Sequence, residues 1–308
     1  MKPNMPDITH LMASARLAMA DTVKPFACGI VNVKSNNCHE NCAFCAQSTR
    51  HTTPTNAPPS LALNDDAILR RAESMSTAGL AYMGLVAAGR RPTPKDLTRY
   101  CNLAARIKAR VNIHLCASLG LLSAQEATQL KSTGFTSYHH NLETSRNFFP
   151  KICTTHTYDD RIATIQNAQA AGLRTCSGGI FGCGESQADR HALALTLAAL
   201  NVDAVPINFL NPLPNTPLAH LPPLTPTEAL TIIAHFRLAL PDKDIIICGG
   251  RPTTLAESDR LIFTAGANAL MTGDYLTTPG QSPSRDRELF AIVGMIPDRR
   301  QPHLKGLS

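Results

Sequence analysis

Residues 157–177 read "TYDDRIATIQNAQAAGLRTCS". Thr157 stands ahead of two aspartates, an N-cap whose first-turn carboxylates meet the positive end of a helix dipole. The residues after it are amphipathic at helical spacing and stop at Gly172, which suits the left-handed turn that ends a helix. A short β-rich run, Arg174 to Ser177, comes next. One helix-then-strand unit is shared by many folds, so its recurrence decides this one. Residues 65–79 ("DDAILRRAESMSTAG"), 93–109 ("TPKDLTRYCNLAARIKA"), 123–134 ("SAQEATQLKSTG") and 225–240 ("TPTEALTIIAHFRLAL") repeat the helical pattern. Several open on Ser or Thr with a carboxylate or Gln in the first turn, and several close on Gly.

β-rich runs lie at 27–33, 81–86, 112–117, 137–142, 174–177, 205–209, 244–248 and 269–272. Their spacing is roughly thirty residues, the size of a strand-plus-helix unit. Eight units joined by right-handed crossovers favour closure of the parallel sheet, which predicts an α/β fold, a (β/α)8 TIM-type barrel, over residues 26–296. Residues 1–25 are expected to form an N-terminal helical extension and residues 297–308 a loose C-terminal tail. In such a barrel the active site lies at the carboxyl ends of the strands.

The chain has 308 residues, 44% of them hydrophobic, and a net charge of +6. Lys and Arg are scattered and aromatics make up only 5%, which argues against a nucleic-acid partner and suits a mildly basic cavity for an anionic small molecule. The start "MKPNMPDITH" lacks a basic region leading into an apolar run, and nowhere do about 18 uncharged apolar residues follow one another. A cytoplasmic, non-membrane protein is expected. In a reducing compartment its ten cysteines are thiolate ligands or small buried hydrophobes rather than disulfides.

Residues 36–48, "NNCHENCAFCAQS", follow the first strand and so sit at the catalytic end of the barrel. Cys38, Cys42 and Cys45 offer three thiols and no fourth. One reading is structural zinc, with His39 or a distant residue completing the tetrahedron. The other is an iron-sulfur cubane held at three corners, with one iron left open to a small molecule.

With Phe44 just before the last thiol, this run resembles the signature of radical S-adenosylmethionine enzymes. That resemblance implies a [4Fe-4S] cluster on Cys38, Cys42 and Cys45, whose open iron binds S-adenosylmethionine and whose electron releases a 5'-deoxyadenosyl radical. Within that superfamily the chain is similar to the biotin synthase family from about Phe26 to Leu289. The stretches carrying this are "KSNNCHENCAFCAQS", "YHHNLETS", "TCSGGIFGCGES", "PINFLNPLPNTPL", "CGGR" and "GDYLTTPGQ". The resemblance implies sulfur insertion into dethiobiotin by two adenosyl radicals in turn. It further implies a second iron-sulfur cluster, [2Fe-2S] or a variant, as sulfur source, an electron donor of the flavodoxin or ferredoxin type, and a homodimer.

Carried over by position, Asn141, Glu143, Arg161 and Ile180 fall on cofactor-binding positions, Glu143 standing where the family has Asp. His139, Asn141, Asn208, Thr277 and Thr278 fall on substrate-binding positions, His139 replacing a family Asn; Thr277 and Thr278 match the pair that holds the substrate carboxylate. Cys28 matches a lesser carboxylate contact. Cys116, Cys176 and Arg251 fall on second-cluster ligands, all three expected on barrel strands. The third thiol is missing, because Gly84 occupies its place and Ala81 to Pro92 contains no cysteine. Cys153, Cys183 and Cys248 are candidate substitutes; strand alternation would turn Cys248 away from the side that Arg251 faces. Cys101 is assigned to helix packing and His140 to a hydrogen-bonded barrel position. The departures at Gly84 and His139 keep open a related radical enzyme of mutase or maturase type without sulfur insertion. A non-enzymatic iron-sulfur scaffold is the remaining alternative.

Overall fold

The computed structural model describes residues 7–35, 37–51, 63–275 and 278–298. Strands β1 (Phe26–Lys34), β2 (Tyr82–Ala87), β3 (His114–Ser118), β4 (Phe135–His139), β5 (Arg174–Cys176), β6 (Gly179–Phe181), β7 (Ala204–Phe209), β8 (Asp244–Ile247) and β9 (Ala269–Met271) form one parallel sheet. Its order is β5-β4-β3-β2-β1-β9-β8-β7-β6. β5 and β6 are two halves of one barrel strand. Both pair with β7, Cys176 opposite Ala204 and Gly179 opposite Ile207, and the β5–β7 pairing closes the ring. The eight-stranded barrel read from the repeats is present, with its fifth strand interrupted at Ser177–Gly178.

The interruption has a steric cause. A Cβ on Gly178 would lie 2.0 Å from the Pro206 carbonyl oxygen, and one on Gly179 would lie 2.5 Å from that of Glu143. Only glycine lets the main chains approach this closely. Ile180 then resumes pairing by donating its N–H to Glu143 O at 2.9 Å.

The helices are α1 (Ile8–Ala18), α2 (Asp65–Thr77), α3 (Pro94–Lys108), α4 (Ala124–Ser132), α5 (Tyr158–Ala170), α6 (Gln187–Ala199), α7 (Pro226–Ala239), the short α8 (Arg251–Leu255) and α9 (Leu261–Thr264), and α10 (Pro283–Ile292). Leu11 and Ala15 of α1 pack against Ala234 of α7. α3 to α7 each open on a reciprocal capping box, among them Thr157 with Asp160 and Thr225 with Glu228. The Thr157 N–H holds the Asp160 carboxyl below the ordinary carboxylate range, and the Thr225 hydroxyl does so for Glu228. A depressed folded pKa gives stability that is present above the unfolded value and lost as pH falls through the folded one. The melting temperature should therefore drop as pH is lowered from about 5 toward 3. Thr157→Ala and Thr225→Ala should each cost about 1 kcal/mol at neutral pH, and Thr225→Ala, which removes the hydroxyl that holds Glu228 down, should flatten that acid slope in thermal melts. An unchanged slope in the double variant would contradict the assignment.

Alternation along the strands makes two layers. Outward residues such as Met83, Leu85, Leu115 and Ala117 join the helices in one large core, and Val205, Ile207, Ile245 and Ile247 do so on the other side. Inward residues form a small separate cluster on the barrel axis that includes Phe26, Tyr82, Cys176, Ile246 and Cys248. No helix among the described residues is long and apolar enough to cross a membrane.

Candidate functional site

Beyond β1 the chain folds into a tight loop that carries the cysteine triplet. Cys38 N–H donates to Gln47 O at 3.3 Å, Thr49 N–H to Cys38 O at 2.8 Å, and Cys45 N–H to Cys42 O at 3.0 Å. The loop is clamped to the segment after β4: Ala43 N–H donates to Ile152 O at 2.8 Å and Asn41 Nδ2 to Thr154 Oγ1 at 2.7 Å. Cys38, Cys42, Cys45 and Phe44 consequently face one cavity of about 440 Å³ at the carboxyl end of the barrel. His39 is exposed and turns to Thr49 instead, 3.3 Å from its hydroxyl, so it does not join the thiols as a zinc ligand. Three thiols from one loop, facing an enclosed space with their histidine neighbour turned away, fit a cluster bound at three corners.

A buried polar chain lies beside the triplet. Glu40, between the first two thiols, contacts His156 Nδ1, and His156 Nε2 accepts from Arg161 Nε at 3.0 Å. Arg161 Nη1 donates to Asn141 O at 2.6 Å and lies 3.5 Å from the Glu143 carboxylate. Asn141 is fixed in turn by accepting the Gly178 N–H at 3.1 Å. Glu143 takes a left-handed φ of 71°, which turns its side chain back beside Asn141 at 3.3 Å. Burial raises the Glu143 carboxyl, and the Arg161 charge pulls it back. Asn141, Glu143, Arg161 and Ile180 all line the cavity, so the structure brings together the four positions picked out for cofactor binding. The sequence reading did not find Glu40 or His156. Glu40 was readable as a carboxylate inside the cysteine run, whereas His156 is tied to it only by the loop clamp.

His139 and Asn208 face the same space. His139 Nδ1 lies 3.0 Å from Ser118 Oγ, and burial lowers its pKa to about 4, which keeps the ring neutral. Asn208 bridges strands by accepting the Gly249 N–H at 3.0 Å and donating to Gly179 O at 3.2 Å, with one amide hydrogen to spare. Thr278 also lines the cavity, while Thr277 lies outside the described residues. His140 departs from the expectation. It is buried on the cavity wall, but its Nε2 has no hydrogen-bond partner among the described residues.

Deeper in the barrel, Cys116 and Cys176 line the cavity as expected, and Cys28 joins them from β1. Burial pushes the Cys28 thiol up to about 12 and the Cys116 thiol up to about 11. Arg174, two residues before Cys176 and on the same face, is buried among them, paired with Asp244 and 5.4 Å above the Tyr82 ring. That alternation with Cys176 was the sequence signal for Arg174.

Arg251 is a correction. The chain leaves β8 at Ile247 and turns through Gly250, whose φ is 77°, so Arg251 opens α8 instead of lying on a strand. Its fully buried guanidinium is held 2.6 Å from Asp286 and 3.5 Å from Asp259, and it is not among the residues lining the cavity. Strand alternation therefore does not run on to Arg251. It does relate Cys248 to Ile246, which faces the axis, so Cys248 points inward. Cys153 and Cys183 belong to the outer core, although Cys153 Sγ lies 3.8 Å from that of Cys42.

Two family models match the chain: the Radical SAM superfamily over residues 32–197 and the Biotin and Thiamin Synthesis associated domain over residues 206–296. A biotin synthase of Nitratidesulfovibrio vulgaris is 48% identical over 300 residues, covering 94% of this chain and 82% of that protein. A biotin synthase of Trichlorobacter lovleyi is 48% identical over 270 residues, covering 87% and 80%. Among solved structures, methylornithine synthase superposes with a TM-score of 0.81 at 19% identity over 94% of this chain and 89% of the other. An FeFe-hydrogenase maturase from Carboxydothermus hydrogenoformans gives 0.80 at 17% identity over 96% and 72%. At such identities these two structures establish the fold alone.

Proposed function

The chain belongs to the biotin synthase family of radical S-adenosylmethionine enzymes, and on that premise we propose how its own residues carry out sulfur insertion into dethiobiotin. The observation that carries the proposal is the single cavity shared by the cysteine triplet, the Asn141–Glu143–Arg161 group, His139, Asn208 and the deeper thiols. Residues 26–296 act as one catalytic barrel in this reading.

Cys38, Cys42 and Cys45 would hold a [4Fe-4S] cluster, which together with S-adenosylmethionine would supply one-electron radical chemistry at the mouth of the barrel. Arg161 is a positioning residue, fixing the Asn141 carbonyl and the Glu143 carboxylate. Glu143 accepts the adenosyl ribose hydroxyls, and Ile180 and Phe44 give the adenine an apolar wall. Dethiobiotin carries a ureido ring with two N–H donors and one carbonyl. Asn141 and Asn208 offer amides to it, and neutral His139 offers one ring nitrogen beyond its Ser118 contact. Thr278, which lines the cavity, and its sequence neighbour Thr277 take the substrate carboxylate. Enclosure by the loop clamp excludes water from a reactive radical.

Cys116 and Cys176 would be among the ligands of a second iron-sulfur cluster in the barrel interior, which would supply the sulfur. Dethiobiotin, one cluster sulfide, two S-adenosylmethionine and two electrons would then give biotin, two methionine and two 5'-deoxyadenosine, and the two further electrons released as sulfide becomes a thioether sulfur would reduce two ferric irons of that cluster. The same proposal takes the protein as a cytoplasmic homodimer reduced by a flavodoxin- or ferredoxin-type donor.

The test is an anaerobic assay with dethiobiotin, S-adenosylmethionine and a one-electron reductant, paired with growth of a biotin auxotroph on dethiobiotin. Biotin should form with about two 5'-deoxyadenosine per biotin, one per hydrogen removed. 5'-Deoxyadenosine without biotin or growth would favour the mutase or maturase reading. Neither product, with a cluster spectrum unmoved by S-adenosylmethionine, would favour the scaffold.

A further inference from the structure

We infer that the barrel interior binds its second iron-sulfur cluster through four thiolates, Cys28, Cys116, Cys176 and Cys248. This rests on the reading above that an internal cluster supplies sulfur, and it names the ligands that reading leaves open.

The four thiols come from four different places around the ring: β1, β3, β5 and the residue just past β8. Cys28, Cys116 and Cys176 line the cavity, whereas Cys248 does not and is placed with Cys28 and Cys176 by the buried cluster on the axis. Cys248 follows Ile246 by two residues, and its N–H still donates to Ile207 O at 2.9 Å, so strand pairing and inward alternation run through it. Cys28, Cys176, Ile246 and Cys248 meet in the one buried cluster that lies on the barrel axis. The outer thiols Cys101, Cys153 and Cys183 sit in the two helix-facing cores instead.

A lone buried cysteine is ordinarily a small hydrophobe. Two features set this group apart. The interior of such a barrel is normally packed solid with bulky branched side chains. Here the layer around Cys116 is flanked in register by Gly84 and Ser137, and open space remains beside the thiols. Gly84 lines the cavity and a Cβ there would come within 3.1 Å of Ile30 Cγ2, a tight contact with β1. β2 offers no thiol to this space, whereas β1 offers Cys28.

Charge is the second feature. A cluster on four thiolates is a buried anion and calls for a nearby cation. Arg174 lies in the ring, fully within hydrogen-bond and ion-pair reach of Asp244, and its charge acts on Cys28, Cys116 and Cys176 alike. Arg251 Nη2 donates to Asp286 at 2.6 Å and Nη1 lies 3.5 Å from Asp259, while its Nε and Nη1 have no hydrogen-bond partner among the described residues. Four thiolates suit either a two-iron or a four-iron cluster.

The test uses the full chain carrying Cys38→Ala, Cys42→Ala and Cys45→Ala together, reconstituted anaerobically with ferrous iron and sulfide. Iron and sulfide content, Mössbauer spectra and circular dichroism are read. The triple variant should retain about two or about four irons per chain in all-sulfur coordination. Adding Cys28→Ala or Cys248→Ala should strip iron as severely as adding Cys116→Ala or Cys176→Ala, while Cys101→Ala changes nothing. Should an alanine variant fail to fold, Cys28→Ser and Cys248→Ser are the substitutes, each expected to shift the spectrum of a retained cluster toward oxygen ligation. Full iron with an unchanged spectrum in the Cys28 and Cys248 variants overturns the ligand set and leaves the internal cluster standing. A folded triple variant with neither iron nor sulfide overturns the internal cluster itself.

Discussion

Cys45→Ala should abolish 5'-deoxyadenosine formation, with a loss greater than the roughly hundredfold that removing even an outer-shell partner of a metal site can cause. Cys45 is half-buried where it lines the cavity, and desolvation there pushes its thiol up to about 11. Cluster binding must therefore draw off a proton the free thiol keeps at neutral pH, and alanine offers no atom to replace that bond. Cys153 supplies the contrast. Its sulfur is 3.8 Å from that of Cys42, yet it is not among the residues lining the cavity. Cys153→Ala should keep S-adenosylmethionine cleavage within about tenfold of the parent, less than a lost ligand costs. The measurement is the electron paramagnetic resonance spectrum of the reduced protein with and without S-adenosylmethionine, together with 5'-deoxyadenosine yield. If Cys45→Ala still shows the cofactor-induced spectral change, the triplet is not the first cluster's ligand set.

The barrel was legible because its signals are local. Capping boxes such as Thr157 with Asp160 are written within four residues, and the switch from helical to strand spacing repeats eight times. The triplet was equally legible, since one loop carries all three thiols. What the sequence concealed depends on distant backbone. The break in the fifth strand arises from the carbonyls of Pro206 and Glu143 pressing on Gly178 and Gly179, and no residue near the break announces either neighbour. Arg251 misled for a related reason: β8 ends at Ile247 and a left-handed glycine at position 250 turns the chain into α8, so a strand period was extended into a helix. Cys28 was read as a substrate contact because it stands outside every cysteine motif. Only the closed ring brings β1, β3 and β5 around one interior. Glu40 and His156 belong together through the clamp between the cysteine loop and the segment after β4, a contact between residues more than a hundred positions apart.

At the opposite end of the barrel, Arg237→Leu should lower stability by about 3 to 5 kcal/mol, the range seen when one partner is removed from a buried charged network. Arg237 on α7 is fully buried. Its Nε donates to Gly266 O at 2.7 Å, its Nη1 to Leu240 O, Pro241 O and Lys243 O at 3.0, 3.1 and 2.7 Å, and its Nη2 to Asn268 Oδ1 at 3.1 Å. Asn268 passes the restraint on, accepting the Ile245 N–H at 2.8 Å and donating to Lys24 O at 2.8 Å. One side chain thus ties the end of α7, the entries to β8 and β9 and the approach to β1. Leucine restores the volume but leaves these carbonyls without their donor in a dry interior, at about 1 to 3 kcal/mol for each one that water cannot reach. Against a total stability of about 5 to 15 kcal/mol, that is a large fraction. The melting temperature should fall by about 10 °C, using the usual 2 to 4 °C per kcal/mol for a domain near this size. Gly266→Ala tests the same knot from the other side, because its Cβ would come within 2.6 Å of the Arg237 side chain at a φ of +104°. Iron content of protein loaded well below the melting range should stay at the parent level in both variants, since neither residue borders the cavity. A shift of less than about 1 kcal/mol in Arg237→Leu, the size of an ordinary single hydrogen bond, would show that water reaches those carbonyls and that the knot does not hold the base of the barrel.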